Sequence, residues 1–211
     1  MIDEVLKNFE SGDVLLLQNE ISNLKYLIER AYKMGMRIVL NPSPVNKQIS
    51  DCDLNKVEYL ILNEIEEGCD IHKVCKILYF ADQKHLVKWG RPITGDHYIK
   101  MNYGPVPSNI KNIIDFSSDI QRNGNILYTV VEYDSDELSV SEINCLKESI
   151  EENRKLNFNE LTEKSHDKAW NKAELNNPKG ISYIEMAKVI TTDENMLNYI
   201  RANELTDQIH S

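Results

Sequence analysis

The sequence has no apolar run long enough to cross a bilayer. Its longest runs, such as "VLLL" and "YLIL", are a few residues, and a helical span needs about 20. It is also short of positive charge. Lys and Arg number 24 against 34 Asp and Glu, a formal net charge of -10. Binding to a phosphate backbone depends on Lys and Arg neutralising phosphates, so no nucleic-acid partner is expected. A polybasic membrane anchor fails on the same ground, and no membrane partner is expected either. The first residues, "MIDEVLKNFESGD", are acidic and lack the apolar stretch of a secretory signal. Cys52, Cys69, Cys75 and Cys145 have no framework spacing and read as reduced thiols of a cytoplasmic protein. There is no G-x-x-x-x-G-K-[ST] loop and no G-x-S-x-G elbow. Internal repeats and low-complexity segments are missing as well. What is present is ordinary globular composition: 211 residues, 41% hydrophobic and 27% charged, enough to bury a core without disulfides or metal.

The first third changes period quickly. "DVLLLQNE" reads as a short buried strand. "SNLKYLIERAYKMG" reads as a helix, with Leu24, Leu27, Ile28 and Ala31 on one face and Gly35 at its end. "MRIVLNPSP" and "VEYLILNE" read as further strands. Strand, helix, strand is the rhythm of a βαβ unit in a parallel sheet. After Gly68 the pattern turns helical. "IHKVCKILYFADQKHLVKWG" has Val74, Ile77, Leu78, Ala81, His85 and Leu86 along one apolar side. "SNIKNIIDFSSDI" is a helix that Ser108 can cap, and "ILYTVVEY" is a strand candidate. Ser139 with Glu142, Ser182 with Glu185 and Thr191 with Glu194 have capping-box spacing.

Between those helices lies "GRPITGDHYIKMNYGPVPSNI", residues 90–110. Its glycines are too widely spaced for a phosphate loop, and no Lys-Ser/Thr pair follows. Tyr98 and Tyr103 lack the basic groove of a base-stacking surface. The stretch is better suited to shaping the chain. Gly90 can end a helix, Pro92 blocks its continuation, and Gly104, Pro105 and Pro107 make a stiff elbow before Ser108.

Two family resemblances follow from these residues. "GDVLLLQNEI", "KMGMRIVLNPSPVN" and "VEYLILNEIE", within about residues 12–66, resemble a central piece of the ribokinase-like (PfkB-type) sugar kinases. Asn63 and Glu66 fall in the spacing of that family's N-x-x-E motif. In the family this motif organises magnesium and phosphate near the nucleotide. The family's G-A-G-D motif, with its catalytic Asp, does not occur. The resemblance therefore implies a truncated, vestigial segment without phosphoryl transfer, since that chemistry needs phosphates, metal and nucleophile positioned together. A carbohydrate-kinase fragment that binds Mg-ATP is the alternative reading of function.

"KILYFADQKHLVKWGRPITGD", "YIKMNYGPVPSNI", "LSVSEINCL" and "LTEKSHDKAW", between about residues 67 and 175, resemble the Panacea domain. This is the SocA-like antitoxin domain, also seen in phage-associated proteins. The resemblance implies a mainly helical domain that binds and neutralises a cognate toxin, the product of a neighbouring gene. A protease is a second partner, because a relative is thought to be a proteolytic adaptor. No catalytic residue or cofactor is implied, and the expected class is not an enzyme. The expected fold is α+β: a partial α/β segment over 1–66, then a mainly α-helical Panacea-type domain over 67–211 with a small β element. Residues 57–66 fit either the third kinase-type strand or the first Panacea helix.

Several constellations carry possible chemistry. Cys69, His72 and Cys75 are three residues apart. On a helix positions i and i+6 diverge, so no metal site is expected. Asp82 and His85 lie one turn apart and could form a base and its orienter. Structural support is preferred, with Asp82 paired to Arg91 to pin the "GRPITGD" segment. His166 and Trp170, at i and i+4, could recognise a peptide or toxin segment, since Trp is favoured in interfaces. The expected partner contacts are Tyr98, Tyr103, His166 and Trp170, supported by Asp82, His85, Arg91, Gly104 and Pro105.

Overall fold

The computed structural model describes residues 2–18, 24–41, 57, 59–65, 67–116, 119–129, 131–132, 138–177 and 180–210. The chain divides into two compact units, Met1–Cys52 and Asp53–Ser211.

In the first unit, α1 (Ile2–Leu6) precedes β1 (Val14–Gln18), α2 (Leu24–Lys33) and β2 (Arg37–Asn41). β1 and β2 run parallel, from Val14 opposite Arg37 to Gln18 opposite Asn41. Parallel neighbours need a crossover, and α2 supplies it, as the sequence rhythm predicts. Leu6, Ala31 and Met36 are buried, with Leu15, Leu27 and Ile38 packed against them. "VLLL" is not the buried strand that its composition predicts. Leu17 is buried, whereas Leu16 is 70% exposed and Val14 52%. Side chains alternate across a strand, and among the described residues of this unit the Leu15–Leu17 face is the covered one.

Of the two readings left open for residues 57–66, strand or helix, the described residues take the helix. Residues 57 and 59–64 are helical (α3). Val57, Leu60, Ile61 and Ile65 are buried in one core cluster of the second unit, and their spacing has the helical period. This helix belongs to the second compact unit, which begins at Asp53. Asn63 sits on this helix, where its amide donates to the Tyr59 carbonyl (2.7 Å) and the Val131 carbonyl (3.0 Å). That is a structural tie. Glu66, the other residue of the kinase-type spacing, and Cys52 lie outside the described residues.

In the second unit, β3 (Cys69–Asp70) leads into α4 (Ile71–Trp89). Asp70 caps α4 by accepting from the Lys73 N–H at 2.7 Å. The helix is expected to be amphipathic. Instead every residue from Val74 to Gln83 is buried, with His85 and Leu86. A helix buried all round lies between two apolar layers. On one side Val74, Ile77, Leu78 and Ala81 pack with α3, with Ile114 of α5 (Ser108–Phe116) and with Leu146 and Ile150 of α6 (Val140–Asn153). On the other side Tyr79, Phe80 and Leu86 pack with four helices. These are α7 (Phe158–Ser165), α8 (Lys168–Lys172), α9 (Tyr183–Lys188) and α10 (Glu194–His210).

The β structure is small. β4 (Tyr98–Met101) and β5 (Gly104–Pro107) form an antiparallel hairpin, and β3 joins β6 (Ile120–Asn123) and β7 (Ile126–Thr129) in a three-stranded sheet ordered β3-β7-β6. The content is mixed helix and strand, an α+β arrangement. The Ser139–Glu142 capping box forms, and Ser182 accepts from the Glu185 N–H. α10 departs from expectation: Asp193, not Thr191, accepts from the first turn, at the Asn195 N–H. No helix among the described residues is long and apolar enough to cross a membrane.

Candidate functional site

The stretch from Gly90 to Pro107 is fixed at one end by Asp82. α4 stops at Gly90, whose φ of 73° is the left-handed turn that a side chain would oppose. The chain then folds back so that the fully buried Asp82 carboxylate accepts four hydrogen bonds. These come from the Ile93 N–H (2.6 Å), the Thr94 N–H (3.1 Å), the Thr94 hydroxyl (2.5 Å) and the Tyr98 hydroxyl (2.8 Å). Burial pushes the Asp82 carboxyl up to about 6, against the pull of these donors. The expected Asp82–Arg91 pair does not form. Arg91 instead reaches Glu142 at 2.7 Å, and Asp82 pins the loop through its backbone and hydroxyls. Nor are Asp82 and His85 a base and its orienter. His85 Nδ1 meets the Arg91 carbonyl at 2.7 Å and Nε2 meets the Ser141 hydroxyl at 3.2 Å.

Asp96 does a second piece of organisation that sequence reasoning missed. Its carboxylate accepts from the Asn109 N–H (3.0 Å) and the Ile110 N–H (2.9 Å), and from the Ser108 hydroxyl at 3.3 Å. The cap of α5 is therefore Asp96, twelve residues upstream of Ser108. A carboxylate at a helix N-terminus is favoured by the unpaired N–H groups and the dipole there. Tyr98 is 0% exposed, so its expected role as a surface contact does not fit. It is a core residue whose hydroxyl serves Asp82.

The other end of the hairpin is open. Tyr103 is 62% exposed and packs edge-on against Phe158, with centroids 5.3 Å apart. Phe158 in turn stacks on His72 at 4.1 Å. His72 Nε2 faces the Tyr103 carbonyl (3.2 Å) and the Thr162 hydroxyl (3.1 Å). On the far side His166 and Trp170 stack at 3.6 Å with a 9° interplanar angle. Trp170 Nε1–H donates to the Met101 carbonyl at 3.2 Å, and Lys100 Nζ sits 4.2 Å from the Trp170 ring centroid. Tyr103, His166 and Trp170 thus lie at or against the outer end of one hairpin, whereas Tyr98, on the same hairpin, is buried.

Beneath the open end lies a cavity of about 390 Å³. Ile71, His72, Lys76, Tyr103, Val106 and Phe158 are among its walls. Lys76 is 1% exposed, and its ammonium donates to the Pro105 carbonyl at 2.9 Å. Burial lowers its pKa to about 8. Burial and the Lys76 charge also hold both His72 and His166 below the ordinary histidine value. Gly104 makes this geometry possible. Its φ is +102°, and a Cβ there would run into the Ser165 hydroxyl and the Lys76 side chain. Gly104 and Pro105 therefore support the site as expected, with Lys76 as the residue they hold. Lys76 and Phe158 were not singled out from sequence, and His72 was weighed only as a metal ligand. The available signal was the one-turn spacing of His72 and Lys76 on a helix opposite a Gly-Pro elbow.

The arrangement is suited to binding. Exposed aromatic rings flank a largely apolar cavity with two lysines among its lining residues, the buried Lys76 and Lys111, which pairs with Asp115 at 2.8 Å. Among the described residues no group of three or more His, Cys, Asp and Glu side chains is placed to hold a metal ion. Residues 74–171 match the family described as Antitoxin SocA-like, Panacea domain. That span runs from the first turn of α4 through most of α8, and so includes Asp82, the hairpin, Phe158, His166 and Trp170. No curated protein and no solved structure matches the chain. The family match does not extend to residues 12–66, where the sugar-kinase resemblance lies.

Proposed function

We propose that this protein is an antitoxin-like binding protein that neutralises a partner toxin by direct, stoichiometric contact. The observation that carries this reading is the agreement of the family match with the geometry. The matched span contains an Asp82-anchored hairpin whose other end carries Tyr103 and lies against Phe158 of α7 and Trp170 of α8, on which His166 stacks. Aromatic residues on preorganised backbone favour interface contacts, because little conformational freedom is lost on binding. The partner is a protein encoded by a neighbouring gene, and the compartment is the cytoplasm. The buried, free thiols of Cys69 and Cys145 accord with a reducing setting.

Co-expression tests the reading. Each neighbouring gene product is expressed alone and then together with this chain. At least one should arrest growth alone and be relieved by the pair. If none is toxic and relieved, the reading fails. Toxin abundance separates two routes. Constant abundance with a stable complex marks direct neutralisation, and a protease-dependent fall marks the adaptor route. The carbohydrate-kinase alternative loses its third strand to α3, and Asn63 is engaged in backbone ties. Under the antitoxin reading, Mg-ATP produces no thermal shift.

A further inference from the structure

We propose that the cavity beside Lys76 is a recognition site for a carboxylate carried on an apolar or aromatic body. The Lys76 ammonium anchors the carboxylate and the cavity walls take the body. This rests on the reading of the open hairpin face as a recognition surface, and it names the group that face accepts.

The argument begins with an unbalanced charge. An ammonium has three donors. Lys76 is 1% exposed, and its ammonium donates to a single neutral carbonyl, that of Pro105. A buried cation is costly unless paired. Among the described residues no carboxylate pairs with it, and no Asp or Glu is among the cavity's lining residues. This is notable in a chain where acidic residues outnumber basic ones 34 to 24. Two further polar atoms are buried without partners, His72 Nδ1 and His166 Nε2. His72 lies one turn from Lys76 on α4 and also lines the cavity. An arriving anion would complete the ammonium's donors and favour a proton on the His72 ring, turning its free nitrogen into a donor. Ile71, Val106, Tyr103 and Phe158 supply the apolar remainder. A volume of about 390 Å³ holds one aromatic or branched apolar group with its carboxylate, at the lower end of ordinary ligand pockets. A polypeptide chain end and a free organic acid share this chemistry.

Calorimetric titration of the full chain tests the proposal. The probes are 3-phenylpropionate against 3-phenylpropionamide, and acetyl-Ala-Phe with a free against an amidated C-terminus. At least one free acid should bind tenfold or more tightly than its amide. Lys76→Met should bring that ratio to within twofold of one. Lys76→Gln, which keeps a donor for Pro105 and removes the charge, should do the same if the Met variant does not fold. Phe158→Ala should weaken acid and amide alike and preserve the ratio. A preference for the free peptide end assigns the site to a polypeptide terminus. A preference confined to 3-phenylpropionate assigns it to a free acid. Equal affinity for both acids and their amides, or an unchanged ratio in both Lys76 variants, would overturn the proposal. No toxin is needed, so this result and the co-expression result stand or fall separately.

Discussion

Asp82 and Lys76 are two buried charges on one helix, and the chain treats them differently. Asp82 is 0% exposed and receives four hydrogen bonds from the loop that follows α4. Lys76, 1% exposed, gives one hydrogen bond to a neutral carbonyl and faces a cavity. The first charge is complete within the fold and organises it. The second is left with donors to spare beside an opening. A satisfied buried charge accounts for architecture, whereas an under-satisfied one beside a cavity is the candidate for a binding place that the Lys76 titrations put to test.

The largest effect that can sharpen this contrast is at Asp82. Asp82→Ala strands the Ile93 and Thr94 N–H groups and two hydroxyls, and should cost about 3 kcal/mol or more. Urea unfolding would show it as a lower midpoint. Next is Gly104→Ala, which sets a side chain at a φ of +102° against Lys76 and Ser165. A loss of about 2 kcal/mol is expected by the same measurement. Lys76→Met should behave in the opposite way, unfolding at the same or higher urea concentration at pH 7.

The pH dependence gives the sign in each case. The Asp82 carboxyl is raised to about 6 in the fold, so its contribution is full below about pH 4 and lost as pH rises through 6. The Lys76 amine is lowered to about 8, so its contribution is present above about 10.5 and lost as pH falls through 8. The stability difference between wild type and Asp82→Asn should therefore change between pH 4 and 6. That between wild type and Lys76→Met should change between pH 8 and 10.5. If both differences are flat, the two charges are not buried as described. The smallest stability effect is at the rim. Tyr103→Ala should shift the urea midpoint by less than about 0.5 kcal/mol in equivalent terms, because that ring is 62% exposed.

How much of this was legible in the sequence depended on whether the signal was local. The parallel β1–β2 pair, the Gly90 stop and the Ser139–Glu142 capping box follow from period and spacing over a few residues, and all appear. The errors and open readings came where a distant partner decided the outcome. "VEYLILNE", with its β-branched residues and short apolar run, stayed open between strand and helix, and the second unit's core selects its helical face, Val57, Leu60 and Ile61. Tyr98 looked like a contact residue until its hydroxyl was claimed by Asp82. Ser108 had the chemistry of a cap, but Asp96 holds that place. The candidate contacts Tyr103, His166 and Trp170 could be named from sequence as aromatic or polar groups near turns. Lys76 was not, because a lysine inside a helical pattern reads as solvated until two cores are seen to enclose it.

The central claim is that the open end of the Asp82-anchored hairpin is the partner-binding face. The most direct measurement compares wild type with the Tyr103→Ala, Phe158→Ala double variant in the growth-rescue assay against the neighbouring toxin, with thermal melting run alongside. The account predicts an unchanged fold, binding weakened about 100-fold or more, and loss of rescue. Full rescue by a double variant with wild-type affinity would contradict it.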